Sequence, residues 1–190
     1  ASHFVFYAGH AVELVVDGSP ARYGSASPAY GTNAAVSVFP FSVSAAAAVV
    51  VSNGVRRACA GWSGTGDVPA SGATAAATLS LNQNSSITWL WLAEVALTNR
   101  YRIATSGAIF HENISWHAVD SLAATETAPE LGIVNGEPYA LAGWLIDGVR
   151  WPEGAWCAQN PATDILMSRP RLAQADYLPF WLDTDGNALS

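Results

Sequence analysis

Two cysteines, four histidines and eight tryptophans are the side chains of this 190-residue chain best suited to chemistry, and their spacing limits which chemistry that is. Cys59 and Cys157 are the only thiols. Two thiols so far apart do not build a four-ligand zinc site by themselves. They read either as two buried free thiols or as a disulfide, formed between the two halves of the chain or between neighbouring chains. His111 and His117 flank Glu112-Asn113-Ile114-Ser115-Trp116, six residues apart rather than four, so the helical zinc-protease pattern is not met. On a strand that even spacing places both on one side. The plain reading is two surface histidines, and a metal pair is the sharper one.

Other catalytic patterns fail on inspection. Ser63-Gly64-Thr65-Gly66 has no lysine and no helix after it, so it is no phosphate loop, and the chain contains no Gly-x-Ser-x-Gly elbow. Glu126 and Glu130 lie in an Ala/Thr/Pro stretch that reads as a loop, and nothing marks them as a glycosidase pair. Trp89 with Trp91, or Trp151 with Trp156, can stack against a sugar ring, yet packing in a core or interface explains the same residues. The expectation is a protein that is not an enzyme and needs no cofactor.

The elements that must position these residues are strands. Helical patterning is nearly absent, and short apolar runs are cut by Gly, Pro and Asn. Strands are expected at residues 11–16, 36–43 (interrupted by Pro40), 49–51, 55–61, 75–81, 87–92, 97–105 and 108–119. Asn53-Gly54 and Asn135-Gly136 each mark a two-residue hairpin turn. In residues 87–92, Ile87, Trp89 and Trp91 share one face while Thr88 and Leu90 share the other.

Two stretches look like versions of one unit. Cys59-Ala60-Gly61-Trp62, a glycine-rich loop and the run Leu81 to Trp91 recur as Leu141-Ala142-Gly143-Trp144, a loop and the run Met167 to Tyr177. This repetition favours two small modules over one large domain, at residues 11–93 and 94–180. They are flanked by an apolar N-terminal strand at residues 1–10 and an acidic tail at 181–190. No Gly/Ser or Pro linker separates the modules, so a stiff joint is expected. Phe4, Val5, Phe6 and Tyr7 read as an edge strand of their own sheet, or as an assembly strand offered to a neighbouring subunit. The fold class expected is all-β, with two β-sandwich-like modules (Ig-like or β-grasp-like) stacked in tandem.

Composition removes several partners. The net charge is −7, and all eight basic residues are arginine, so no basic patch exists to neutralise phosphates and nucleic acid is excluded. The absence of lysine also excludes Lys–Asn isopeptide cross-links. With 51% apolar and 12% charged residues, the chain can bury a core. Its longest apolar run, residues 45–51, is far short of a membrane span. The tryptophans are expected to fill thin cores between sheets.

The block from Cys59 to Gly72, followed by Leu81-Asn82-Gln83-Asn84-Ser85-Ser86-Ile87-Thr88-Trp89-Leu90-Trp91, resembles the Gly-Trp-containing β-repeats of very large exported bacterial surface proteins, of planctomycete and verrucomicrobial type. Gly143-Trp144, Asp147-Gly148-Val149, Asn160-Pro161-Ala162-Thr163 and residues 173–179 are similar to divergent internalin B-type repeats. The resemblance covers most of residues 11–180. It implies an extracellular or cell-surface β-module with no catalytic residues to carry over. In such units the cysteine near Gly-Trp often has a partner in an earlier strand; none stands there in this chain, which leaves Cys59 to pair elsewhere, with Cys157 the candidate. Asp183, Asp185 and Asn187 resemble the start of the acidic calcium loop seen after such modules. Three oxygen side chains fall short of the six or more that Ca²⁺ takes, so a solvated acidic tail is the plainer reading.

The functional expectation is an extracellular structural protein, a subunit of a surface assembly or self-assembling filament whose main partner is itself. The alternative is a glycan-binding or adhesion module of a larger exported protein, using Trp151 and Trp156.

Overall fold

The structure is a computed structural model that describes residues 9–36, 40–152 and 160–180. It is all-β: every regular element among the described residues is a strand. The chain divides into two compact units, Ala1–Ser52 with Arg56–Ala93, and Asn53–Val55 with Glu94–Ser190.

The strands of the first unit are β1 (Ala11–Ser19), β2 (Ala26–Ser27), β3 (Gly31–Val36), β4 (Phe41–Ala45), β5 (Ala48–Ser52), β6 (Val55–Thr65), β7 (Ser71–Gly72), β8 (Ala76–Leu79) and the start of β9 (Ser85–Ile103). The rest of β9 belongs to the second unit with β10 (Ile109–Ala118), β11 (Leu122–Ala123), β12 (Leu131–Val134), β13 (Glu137–Ile146), β14 (Val149–Trp151), β15 (Ile165–Leu166) and β16 (Arg171–Pro179).

In the first unit β1 lies between β3, antiparallel, and β9, parallel, while β2, β4 and β8 make a small separate sheet. The core forms where the two sheets meet. Val12, Leu14 and Val16 of β1 and Ile87, Trp89 and Trp91 of β9 pack with Val43 of β4, Leu79 of β8 and Trp62 of β6. Strict alternation produces this: Ile87, Trp89 and Trp91 are buried, and Thr88 and Leu90 between them face the other way.

The second unit repeats these pairings. Leu97 stands opposite Arg171 in a parallel β9–β16 ladder, as Leu14 stands opposite Ser85 in the parallel β1–β9 ladder. β10 runs antiparallel to β9, as β3 does to β1, and the small sheet is β11 with β15. One long strand therefore closes the first unit's pattern and opens the second's.

At matched positions of this pattern, volume is exchanged. Gly18 faces Trp89 in the first unit, whereas Tyr101 faces Ala175 in the second. A large ring beside a small residue fills the layer in both cases, with the sizes reversed.

The expected single strand over residues 36–43 is two. β3 ends at Val36 and pairs with β1, and β4 starts at Phe41 and pairs with β8 in the other sheet. Pro40 precedes β4; lacking an N–H, it suits a break in the ladder better than a strand interior. Both Asn-Gly hairpins are present, with Gly54 (φ 69) and the Asn135-Gly136 pair (φ 53 and 84) in the left-handed region. Asp147-Gly148 makes a third such turn (φ 51 and 86). Burial pushes the Asp147 carboxyl up, but the Leu172 N–H and the Arg171 and Arg169 guanidiniums outweigh it and hold it below the usual carboxylate range.

One core position breaks the apolar pattern. Asn99 is 2% exposed, its Oδ1 has no hydrogen-bond partner, and the matching position of the first unit is Val16. An unpartnered buried acceptor costs about 1–3 kcal/mol. Asn99→Val is therefore expected to stabilise the second unit by about 1 kcal/mol or more, read from urea denaturation. A loss of stability would show that the amide is held by a partner after all.

Candidate functional site

The densest set of polar and aromatic side chains lies in the second unit, along β10 and the end of β9. The β10 strand carries His111, Asn113, Ser115 and His117 at alternate positions, opposite Tyr101, Asn99, Leu97 and Val95 of β9. His111 Nε2 lies 2.7 Å from Glu126 Oε1, and Asn113 Nδ2 donates to Glu126 Oε2 at 3.5 Å. The His111 ring stacks on Tyr101, with centroids 4.4 Å apart at 31°. Tyr101 also meets Trp144 edge-on and Phe110 at a 59° tilt, and Phe110 meets Tyr177 at 5.1 Å. The Tyr177 hydroxyl donates to the Pro129 carbonyl at 2.6 Å.

Electrostatics follow from this packing. Burial, then the adjoining Glu126 carboxylate, push the Tyr101 phenol well above its ordinary value. Burial pushes Tyr177 up to about 12, with Glu126 adding to the effect. Both phenols thus stay neutral and act as hydrogen-bond donors throughout the physiological range.

His111 and Glu126 form a hydrogen-bonded imidazole–carboxylate pair. Ser115 Oγ and His117 Nε2 are 2.8 Å apart, a hydroxyl–imidazole pair. The carboxylate that would orient such an imidazole is instead on His111. Six residue steps along the strand separate the two histidines, about 20 Å at the rise of a β-strand, so one metal ion does not bridge them. Among the described residues no three His, Cys, Asp or Glu side chains converge to hold a metal ion.

No protein-family model matches this chain, and no curated protein matches it. The site has to be read from its own geometry.

The residues singled out in the sequence are scattered. Cys59 carries a free thiol, half-buried, with its Sγ 3.5 Å from the Gly61 carbonyl oxygen. Trp151 flanks the second core, stands opposite Trp144, and donates its indole N–H to the Thr163 carbonyl at 3.0 Å. Phe4, Val5, Phe6, Tyr7, Trp156, Cys157, Asp183, Asp185 and Asn187 lie outside the described residues. Trp89 and Trp91 are core residues. Among the described residues no helix is long and apolar enough to cross a membrane.

Sequence reasoning missed the ion pairs that tie neighbouring strands. Arg102 donates from Nε and Nη2 to the two carboxylate oxygens of Asp176, at 3.0 and 2.9 Å. Arg100 bridges Glu112 directly across the β9–β10 pair at 2.7 Å. Only the register could have announced them, since opposite charges at facing positions attract. In the first unit Asp67 accepts from the Asn82 and Gln83 backbone N–H groups and the Gln83 side chain, which pins the turn there.

The two phenols make a testable statement about pH. A folded-state value raised above the ordinary 10 contributes stability that is complete below pH 10 and is lost as pH rises towards the folded value, about 12 for Tyr177. Spectroscopic titration of the tyrosines is expected to show Tyr30, Tyr101 and Tyr177 ionising late, with the second unit weakening as Tyr101 and Tyr177 do so. All six titrating together near 10 in the folded protein would contradict this packing.

Proposed function

We propose that this chain is a non-enzymatic structural protein of a cell surface or extracellular assembly, and that its copies associate with one another. The observation that carries this reading is a sheet edge left bare at corresponding places in the two units. Strand β5 pairs only with β6, and β12 only with β13, among the described residues. Neither strand contains a charged residue or a proline. Each presents an aliphatic side chain to solvent, Val50 at 67% and Ile133 at 73% exposure. A strand edge is a row of unpaired N–H and C=O groups, and proteins that stay apart protect it with charge, proline or a cover. These two edges lack charge and proline.

The polar chemistry supports the same reading. Asp17, Glu112, Glu126, Asp147 and Asp176 are each engaged by a basic side chain of their own unit. The apolar segment at Phe4, Val5, Phe6 and Tyr7 is the natural strand to extend such an edge in a neighbour. A glycan-binding function finds less support, because Trp151 is partly buried against the second core and its N–H is taken by the Thr163 carbonyl.

Negative-stain electron microscopy of the purified protein, with and without reductant, tests the proposal. Regular filaments or ordered clusters are expected. Their loss on reduction would place Cys59 and Cys157 at the joints, and their persistence would leave the edges as the holding contact. Dispersed monomers under every condition would contradict the proposal.

A further inference from the structure

Three hairpin turns of this chain are two-residue loops ending in glycine: Asn53-Gly54 between β5 and β6, Asn135-Gly136 between β12 and β13, and Asp147-Gly148 between β13 and β14. Asparagine before glycine carries a chemistry of its own. The glycine nitrogen can attack the asparagine side-chain carbonyl carbon, because no Cβ on the glycine obstructs the approach. Ring closure needs the turn to open locally, so its rate at each loop depends on what holds that loop shut.

The three loops are held unequally. The Gly54 carbonyl accepts from the Ala96 N–H at 2.9 Å, and a Cβ on Gly54 would stand 2.8 Å from the Pro170 ring. That turn is tied on one side and covered on the other. The Asp147 side chain has no amide to lose, and it accepts from the Leu172 N–H at 3.0 Å and from Arg169 and Arg171 at 2.8 and 2.9 Å. Asn135 differs from both. It is exposed, and its side chain has no hydrogen-bond partner among the described residues. Nothing lies within 4 Å of where a Cβ on Gly136 would stand. The loop is closed by the pairing of Val134 with Glu137, at the end of a strand of four residues.

We infer that Asn135 is a site of self-modification from which Asn53 is protected, and that the change blunts the β12 edge. The Gly136 nitrogen bonds to Cγ of Asn135, the Cγ–Nδ2 bond breaks, and ammonia leaves with the proton that the nitrogen gives up. Water then opens the succinimide ring at either carbonyl, which yields aspartate or isoaspartate and consumes no oxidant or other reactant. The product places a carboxylate directly after β12, a strand with no charge of its own. Charge at a strand edge discourages the addition of another strand. Isoaspartate also lengthens the turn's backbone by one atom, which disturbs the register that the turn sets for β12 on β13. The effect on assembly rests on the self-association proposed above; the modification itself does not.

Peptide mapping by mass spectrometry, on purified protein held in mildly alkaline buffer with a mildly acidic control, tests the site. Conversion is expected about tenfold faster at Asn135 than at Asn53 in the folded protein. In guanidinium chloride the two rates are expected to converge, since neither turn survives there. Equal rates in the folded protein, a faster Asn53, or no conversion at Asn135 would overturn the site. Sedimentation velocity of Asn135→Asp against the wild type tests the consequence. Asp-Gly suits the same two-residue turn as Asn-Gly, so the variant keeps the hairpin and changes its charge. Association is expected to weaken about tenfold. Association unchanged in Asn135→Asp overturns the effect on the edge and leaves self-association standing. A wild-type protein that stays monomeric overturns self-association and the effect on it, while peptide mapping still decides the site.

Discussion

Both units depend on a glycine that can take a backbone conformation closed to other residues, followed by a tryptophan that fills the space beside it. Gly61 and Gly143 have φ of 124 and 144, and Trp62 and Trp144 follow them into the cores. A Cβ on Gly61 would collide with the Gly72 carbonyl, and one on Gly72 with the Trp62 ring. In the second unit the irregularity in the β13–β16 ladder falls between Leu141 and Gly143, which turns Trp144 inward opposite Trp151. Thin two-sheet cores have room for few side chains, so one indole replaces several aliphatic groups. The remaining core choices adjust around it, and the exchange of Gly18 and Trp89 for Tyr101 and Ala175 is one such adjustment.

That constraint also explains what the sequence could reveal. Hairpin turns at Asn-Gly, the alternation of Ile87, Trp89 and Trp91, and the recurrence of Gly-Trp are local, and each is visible without knowing which strands meet. The parallel ladders are not visible, because they join β1 to β9 and β9 to β16 across long stretches of chain. A single expected strand through Pro40 proved to be two strands in different sheets for the same reason. Local pattern says that residues are extended, and only distant partners say into which sheet.

The polar cluster around Glu126 was illegible for a further reason. Its partner His111 is fifteen residues away, and Glu126 belongs to a segment whose Ala, Thr and Pro content marks only a loop. The register of β10 and the course of that loop bring them together. Other ion pairs hold strands to one another, as at Arg102–Asp176 and Arg100–Glu112. Among the described residues, β5 and β12 each pair on one side only and carry neither charge nor proline. A strand edge of that kind is where another strand can add.

The most direct measurement of that account is the mass of the protein in solution by static light scattering over a wide concentration range. The account predicts a weight-average mass that rises with concentration without a plateau at the dimer, as an open contact requires. A mass equal to one chain at every concentration would contradict it.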